Sequence, residues 1–198
     1  PPDAEYSATS QSRSPTASGR VLPIETDRLT LRPLAVGDRD WLVALYSASG
    51  GSRDDAAREL EEALEHERAH GYGHVVAELR DGGERVAVVE LHLAGEGVVG
   101  IAPDEVEIGW LVAPAHRGVG VATEAARAVS GFALDQLGIE HLVAYVRPAN
   151  AASRRVVEKI GMRRRGSGRS RSGAEVEIFE LRRPVGRRRG VTPGRTPG

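Results

Sequence analysis

The sequence predicts an α/β protein of the α+β type, in which one sheet and about four helices form a single domain. Some stretches alternate apolar and polar residues, as half-buried strands do, while others place apolar residues three or four apart, as helices do. In addition, Asp81, Gly82 and Gly83 separate two apolar runs, a pattern typical of a β-hairpin. Along the chain these patterns predict the order β-α-α-β-β-β-α-β-α-β-β.

The first half of the domain begins with a strand and two helices. A strand is predicted in IETDRLTLRPL, residues 24–34, where apolar residues alternate with polar ones: Leu29, Leu31 and Leu34 with Arg28, Thr30 and Arg32. A first helix is expected next, with Asp38 as its N-cap. A second helix is expected from about Asp54 to a stop at Gly71, and residues 73–94 then supply the hairpin.

The second half alternates strands and helices. Asn150 is a favourable N-cap residue for the last helix, and Gly138 follows the helix before it. The predicted elements are a strand at 106–114, a helix at about 120–137, a strand at 141–147, a helix at 150–161 and two strands near 162–166 and 174–183.

Composition sets the domain limits and excludes several function classes. The Ser- and Pro-rich residues 1–20 and the Arg-rich residues 185–198 are expected to be disordered tails, leaving residues 21–184 as the domain. The absence of cysteine excludes disulfides and thiolate nucleophiles. No apolar run approaches the roughly 18 residues of a membrane span, so a cytoplasmic protein without membrane contact is expected. Nucleic acid is not an expected partner, because no aromatic residues interleave the arginines.

The most informative stretch is HRGVGVATEA, residues 116–125, which lies between a strand and a helix. A nucleotide-binding P-loop would require Lys followed by Ser or Thr, which is absent. A dinucleotide fingerprint would require a third glycine where Thr123 stands. A simple turn and an anion site both remain, since the first amides of a helix lack intrahelical partners and Gly118 and Gly120 allow close approach.

Three motifs in order carry a family resemblance: ETDRLTLRPL at 25–34, EIGWLVAPAHRGVGVATEA at 107–125 and NAASRRVVEKIGM at 150–162. Together they resemble the RimJ/RimL-type branch of the GNAT N-acetyltransferase superfamily. The resemblance implies a mixed, mostly antiparallel sheet of about seven strands flanked by about four helices. Two departures stand out: Met162 where this branch has Phe, and Val157 where many GNAT enzymes have a tyrosine general acid.

The same resemblance implies acetyl-CoA as co-substrate, bound where the strands at 106–114 and 141–147 separate. Backbone groups of one strand end would bond the pantetheine arm, and the amides of the glycine loop would hold the pyrophosphate. The residues implied are Leu111, Val112 and Ala113 for the arm, Arg117, Gly118, Val119, Gly120, Val121, Ala122 and Thr123 for the pyrophosphate, and Asn150 and Ser153 at the last helix.

Acyl transfer needs a neutral amine nucleophile and a proton for the leaving thiolate. Glu107 is the first candidate base and Glu90 the second, although each is also compatible with a solvent-facing strand residue. A base would matter most at low pH, where free amine is scarce. Ser153 is a candidate proton donor to the thiolate, and equally an ordinary first-turn serine. Trp41 and Tyr72 are candidates to line the acceptor pocket.

No metal is expected, because none of the six histidines has metal-ligand spacing. His66 and His70 share a helix face, which an acidic helix surface explains. The resulting hypothesis is transfer of an acetyl group to a primary amine, either a protein N-terminal α-amine or a small molecule, by a monomer or homodimer. The alternative is a non-catalytic acyl-CoA-binding or regulatory module on the same fold.

Overall fold

A computed structural model describes residues 23–96 and 98–184. The tails expected to be disordered, 1–20 and 185–198, lie outside the described residues. Within the described ranges, no helix combines the length and the apolar character needed to cross a membrane.

The described chain folds into eight strands and four α-helices, in the predicted order apart from one addition. The strands are β1 Ile24–Glu25, β2 Leu29–Pro33, β3 Val75–Leu79, β4 Arg85–Leu93, β5 Val106–Val112, β6 His141–Val146, β7 Arg163–Arg169 and β8 Glu175–Arg182. The helices are α1 Arg39–Ser47, α2 Arg53–His70, α3 Val121–Asp135 and α4 Ala151–Ile160. The added strand is β1: the chain turns back between β1 and β2, so the single strand predicted at 24–34 is divided into two.

All eight strands form one mixed sheet in the order β1-β2-β3-β4-β5-β6-β8-β7. Every neighbouring pair is antiparallel except β5 and β6, which run parallel. These two strands pair only at their amino-terminal ends, where Val106 faces Leu142 and Glu107 faces Val143. Beyond that point they separate, so the sheet opens toward their carboxyl ends.

The two faces of the sheet are covered by different helices. On one face α3 and α4 pack through residues such as Val129 and Val157, and Ile108 of β5 joins this core. On the other face Leu42 of α1 and Leu60 of α2 pack against the sheet. Side chains alternate along a strand, so Glu107, next to Ile108, points to the face of α1 and α2.

Helix ends follow the local signals in the sequence. Ser52 caps α2 by accepting from the amide of Asp55 at 3.1 Å, slightly earlier than Asp54 had indicated. Gly71 ends α2 in the left-handed conformation, with φ of 77°. Asn150 caps α4 as predicted, accepting from the amide of Ser153 at 3.1 Å.

Asp38 occupies the N-cap position of α1, but its side chain does not cap that helix. Its carboxylate instead accepts from the amide of Ala35 at 2.9 Å and pairs with Arg32 through two bonds of 2.7 Å. Arg85 adds a further basic contact at 3.0 Å. The prediction that the Asp38 side chain caps α1 was therefore wrong. Its buried carboxylate binds the guanidinium groups on β2 and β4 instead of the first amides of the helix.

Candidate active site

The gap between β5 and β6 forms a cavity of about 330 Å³ on the described surface. Trp110 of β5 and Tyr145 of β6 line its two sides, and Asn150 and Ser153 reach it from the start of α4. Both α3 and α4 follow strands of the separated pair, so their amino-terminal ends lie at the open edge of the sheet. An opening between parallel strand ends next to helix N-termini is a common place for a ligand in mixed sheets.

A second cavity of about 520 Å³ lies between α2 and the sheet. Glu59 and His66 line it from α2, and His74 and His92 line it from the sheet side. Three further residues line both cavities: Glu90, Glu107 and Tyr145. The two cavities therefore meet at a carboxylate pair and a phenol.

Glu107 is the most unusual of these three residues. It is only 7% exposed, and its Oε2 has no hydrogen-bond partner among the residues that the structure describes. Burial raises its pKa from an ordinary 4.5 to about 7, with Glu90 and Glu59 adding to the rise and Arg171 opposing it. A carboxylate with this pKa can take up and release a proton near neutral pH.

Glu90 is held in place from two sides. The phenol of Tyr46 donates a hydrogen bond of 3.1 Å to its Oε1. Burial, followed by the charge of Glu90, raises the pKa of Tyr46, so this phenol remains a donor. On the other side, a Cβ on Gly109 would lie 2.6 Å from Oε2 of Glu90. Glycine at position 109 therefore leaves the room that the Glu90 carboxylate occupies.

The loop before α3 has the backbone of an anion site. Gly118 and Gly120 adopt the left-handed region with φ of 80° and 91°, and the space in front of Gly118 is open. The amides that follow Gly120 lie in the first turn of α3, where a helix offers no carbonyl to accept them. Arg28 braces the loop by donating to the carbonyl of Val119 at 2.9 Å while paired with Glu124 at 2.7 Å.

The side chain of Arg117 is exposed, and its hydrogen bonds go to residues outside the glycine loop. Its Nε donates to the carbonyl of Val112 at 3.0 Å, and its Nη2 donates to Ser49 at 2.9 Å. No residue in the range 117–123 lines the first cavity in the described structure. The loop thus lies at the end of β5, beyond the cavity that Asn150 and Ser153 line.

The backbone groups of β5 that face the gap are not all those of the three residues expected to bond the pantetheine arm. The amide of Ala113 donates to the carbonyl of Val86 at 2.9 Å, so it belongs to the antiparallel ladder with β4. Because hydrogen-bonding direction alternates along a strand, the backbone groups of Leu111 also face β4, whereas those of Trp110 and Val112 face β6. Of the three residues expected along the arm, Leu111 and Ala113 are turned away, and Val112 faces the gap.

The match to known proteins agrees with this architecture. The Acetyltransferase (GNAT) domain family matches residues 28–163, more than half of the chain. The chain belongs to the GNAT acetyltransferase family. Its sheet of eight strands, mostly antiparallel and flanked by four helices, is the GNAT fold.

Individual GNAT relatives cover the chain to different extents. It is 40% identical over 60 residues to the uncharacterized N-acetyltransferase YnaD of Bacillus subtilis (strain 168), a match covering 30% of this chain and 35% of YnaD. The matched part thus spans about a third of that relative. An acetyltransferase from Agrobacterium tumefaciens str. C58 is 30% identical with a TM-score of 0.66, covering 80% of this chain and 92% of that structure.

Structures with RimJ or RimL names are more distant. Mycobacterium smegmatis RimJ in complex with CoA-disulfide is 21% identical with a TM-score of 0.62, covering 78% of this chain and 81% of that structure. At this identity the similarity shows the fold alone. The chain is therefore a GNAT protein whose branch within the family is not fixed by these relatives.

Two features of this GNAT site were missed from the sequence. Tyr145 reaches the junction from β6, whereas Val157, at the expected tyrosine position on α4, is fully buried in the core. Burial raises the pKa of Tyr145, which keeps its phenol protonated. The available signal was a tyrosine within the predicted strand at 141–147, one of the two strands between which the resemblance placed the cofactor.

The second missed feature is a group of histidines around the larger cavity. His74 and His92 stack with ring centroids 5.6 Å apart, and His66 lies on the cavity side of α2. Ligand atoms of Glu59, His74 and Glu90 lie within 4.8 Å of one another, a grouping of chain segments that linear spacing does not show. The expectation of no metal site considered only the spacing of histidines along the sequence, and that spacing does not reveal this group.

Neither aromatic residue expected in the acceptor pocket lines the larger cavity. Trp41 packs with the core between α1 and the sheet, and its ring lies 5.8 Å from the guanidinium carbon of Arg85. Tyr72 instead lies with Phe132 around a small separate cavity. Acidic and imidazole side chains thus form the larger cavity where aromatic ones were expected.

Proposed function

We propose that this protein is an N-acetyltransferase that moves the acetyl group of acetyl-CoA to a primary amine. One observation carries the proposal: two cavities meet at Glu107, a buried carboxylate with one oxygen unpartnered in the described residues. This geometry suits acyl transfer between two substrates, because it places one substrate on each side of an ionisable group.

The residues around the gap fit acetyl-CoA. The left-handed glycines and the first amides of α3 suit a diphosphate, and the loop residues assigned to it are Arg117, Gly118, Val119, Gly120, Val121, Ala122 and Thr123. Of these, Arg117 would position the loop, since its amide donates to the carbonyl of Pro114 at 3.3 Å and its side chain is bonded elsewhere. The pantetheine arm would bond the backbone of Trp110 and the amide of Val112, since the Val112 carbonyl already accepts from Arg117. Asn150 uses Oδ1 as a cap, which leaves its Nδ2 hydrogens to donate to the cofactor.

Glu107 is the proposed general base. Acetyl-CoA supplies a thioester carbonyl for attack, and the acceptor arrives largely as an ammonium ion. Glu107 removes one proton from that ammonium, directly or through one water, and the neutral nitrogen then forms a C–N bond to the acetyl carbon. Glu90, held by Tyr46, orients the remaining N–H bonds of the acceptor.

The departing sulfur needs a proton as the C–S bond breaks. Tyr145 lines both cavities and stays protonated at neutral pH, so it is the first proposed donor. Ser153, in the first turn of α4, lines only the first cavity and is the second proposed proton donor. The ammonium loses two protons in becoming an amide. Glu107 takes the first and passes it to solvent, and the second, lost from nitrogen as the C–S bond breaks, replaces the proton that the donor gives to sulfur, so the protein returns to its starting state.

The acceptor of this reaction is either a protein N-terminal α-amine, as the motifs of the RimJ/RimL-type branch suggest, or a small amine. Release of free CoA from acetyl-CoA, measured with peptides of different N-terminal residues and with small amines, tests the proposal. CoA release with one class supports it. Acetyl-CoA binding without CoA release across all classes would favour the alternative, a non-catalytic acyl-CoA-binding module.

The cofactor loop has its own test, the variant Gly120→Glu. This change strains a left-handed position and places a negative charge where the diphosphate is proposed to lie, so acetyl-CoA binding measured by calorimetry should fall by at least about 100-fold. The matched control is Gly138→Glu, another left-handed glycine with φ of 77° beyond the far end of α3. It introduces the same strain and charge about 20 Å away and should retain binding. Acetyl-CoA binding retained in Gly120→Glu would refute the loop assignment.

A further inference from the structure

The turn between β7 and β8 contributes to both cavities. Ser170 and Ser172 line the first cavity, whereas Arg171, between them, lines the larger one. Two backbone hydrogen bonds of 2.8 Å close the turn, from the amide of Ser170 to the carbonyl of Ala174 and from the amide of Gly173 to the carbonyl of Ser170. The side chain of Arg171 therefore projects from a turn whose backbone is itself fixed.

The guanidinium of Arg171 joins the two sides of the gap between β5 and β6. Its Nη2 donates to the carbonyl of Ala94, and its Nε donates to the carbonyl of Glu96 at 3.2 Å. These two residues follow β4, on the β5 side of the gap, whereas the turn belongs to the hairpin on the β6 side. The amide of Ala94 donates to the carbonyl of Glu105 at 2.8 Å, so the segment that holds the guanidinium is also bonded to the rest of the sheet.

Arg171 supplies the only guanidinium among the residues that line the larger cavity in the described structure. Besides Glu107, the carboxylates of this cavity are those of Glu59 and Glu62 on α2 and Glu90 on β4. Its other titratable groups are the imidazoles of His66, His74 and His92 and the phenol of Tyr145. Because a guanidinium stays protonated at any pH at which the imidazoles titrate, Arg171 is the constant positive charge among these groups.

The charge of Arg171 acts on Glu107, the proposed base. Burial has the largest effect and raises the pKa of Glu107, and the charge of Arg171 opposes that rise, ahead of Glu90 and Glu59, which add to it. Arg171 is an exposed residue, so water screens part of its charge. Its removal should therefore shift the pKa of Glu107 upward by less than the 1–3 units or so that an adjacent charge produces.

We infer that Arg171 is a positioning residue for acetyl transfer, which fixes the β7–β8 turn across the gap and places a permanent positive charge in the cavity of Glu107. The inference rests on the proposed acetyltransferase function. Its support is geometric: the guanidinium lines the larger cavity while two of its nitrogens are bonded to backbone carbonyls from the opposite side of the gap. Arg171 acts through Glu107 rather than on the reacting atoms.

A titration of Glu107 tests the electrostatic part without any substrate. Carbon NMR of protein with isotope-labelled glutamate follows this carboxyl group, and Glu107→Gln identifies its signal. In Arg171→Gln, which keeps a side chain able to donate to a carbonyl but removes the charge, the pKa of Glu107 should rise by at least about 0.5 unit. Arg171→Lys keeps the charge and should reverse most of that rise.

The matched control is Arg169→Gln, in the same hairpin. The guanidinium of Arg169 also donates to a backbone carbonyl of the turn, that of Gly173 at 3.2 Å, but Arg169 lines neither cavity. This variant should leave the pKa of Glu107 unchanged. An unchanged pKa in Arg171→Gln, or an equal rise in Arg169→Gln, would overturn the inference.

The pH profile of kcat/KM for CoA release connects this charge to the reaction. Since the profile on the acid side follows ionisation of the base, in Arg171→Gln it should move to higher pH by the same amount as the NMR titration, and in Arg171→Lys it should stay near the wild-type position. A rate that falls equally at every pH would assign Arg171 a purely structural role and overturn the inference. Absence of CoA release from the wild-type protein with every amine would instead contradict the acetyltransferase proposal itself.

Discussion

Asp38 and Glu107 are both buried carboxylates, but their surroundings are opposite. Asp38 is 2% exposed and accepts hydrogen bonds from Arg32, Arg85 and the amide of Ala35. Burial alone would raise its pKa, but these donors outweigh burial and hold the pKa below its ordinary value. Glu107 is 7% exposed with one oxygen unpartnered in the described structure, and burial raises its pKa to about 7.

The difference shows how one chemical group serves either structure or chemistry. The donors around Asp38 stabilise its charge, so it stays ionised and joins β2 to β4 and the turn before α1. The surroundings of Glu107 disfavour its charge, so it can exchange a proton at neutral pH. The two residues are similarly buried, so their exposed fractions do not distinguish them. The number of hydrogen bonds that each carboxylate accepts does.

The largest expected effect is on activity. Glu107→Gln removes the proposed base and should lower kcat by about 100- to 10,000-fold, the usual contribution of general base catalysis. Wild type needs ionised Glu107, whose pKa is about 7, so its rate levels off above pH 7, whereas the variant depends on free amine, which rises about tenfold per pH unit below the pKa of the amine. The loss should therefore be larger at pH 6 than at pH 8, the direction that the sequence reasoning gave.

The measurement is the pH profile of CoA release for both proteins, with Glu158→Gln on the exposed side of α4 as the control. The control should follow the wild-type profile. Parallel profiles for wild type and Glu107→Gln would contradict the role of Glu107 as base.

A second prediction concerns the structural carboxylate. Asp38→Asn removes the charge that Arg32 and Arg85 share and should lower the free energy of unfolding by roughly 2–4 kcal/mol. Chemical denaturation measures this loss. Asp40→Asn, at an exposed position of α1, should cost less than about 1 kcal/mol. A folded Asp38→Asn protein should retain the wild-type kcat, and a lower kcat would contradict a purely structural role.

The smallest expected effect concerns the free energy of unfolding and again separates Glu107 from Asp38. The pKa of Glu107 is higher in the folded protein than its ordinary 4.5, so its contribution to stability is full below pH 4.5 and is lost as pH rises to about 7. Above pH 7, Glu107→Gln should therefore be more stable than wild type by on the order of 2–3 kcal/mol. Unfolding free energies of both proteins at pH 5 and pH 8 measure the difference. A gap that does not widen with pH would contradict the raised pKa.

The sequence was most informative where a local signal determined the structure. Alternation, capping and the double glycine of the hairpin predicted all four helices and all described strands except β1. The glycine loop was located correctly because left-handed backbone before a helix requires specific residues. In each of these places the relevant contacts lie within a few positions of one another.

The candidate site was less predictable, because its contacts join distant parts of the chain. Glu107 and Glu90 were chosen from their strands, and the structure places them at one junction. The roles of Leu111 and Ala113 depended on which neighbour their backbone faces, and that register is a tertiary property. Glu59 and His74 meet only because α2 folds back over the sheet, so no local pattern indicated an acidic cavity.

The short pairing between β5 and β6 divides the sheet into two blocks, β1–β5 and β6–β8, whose ladders meet at only two residue pairs in the described structure. A ligand with its own donors and acceptors, lying along Trp110 and Val112, would add hydrogen bonds between the two blocks where β5 and β6 no longer pair. Ligand binding and the stability of the sheet are then linked. A variant destabilised at another site would gain stability when the ligand binds between β5 and β6.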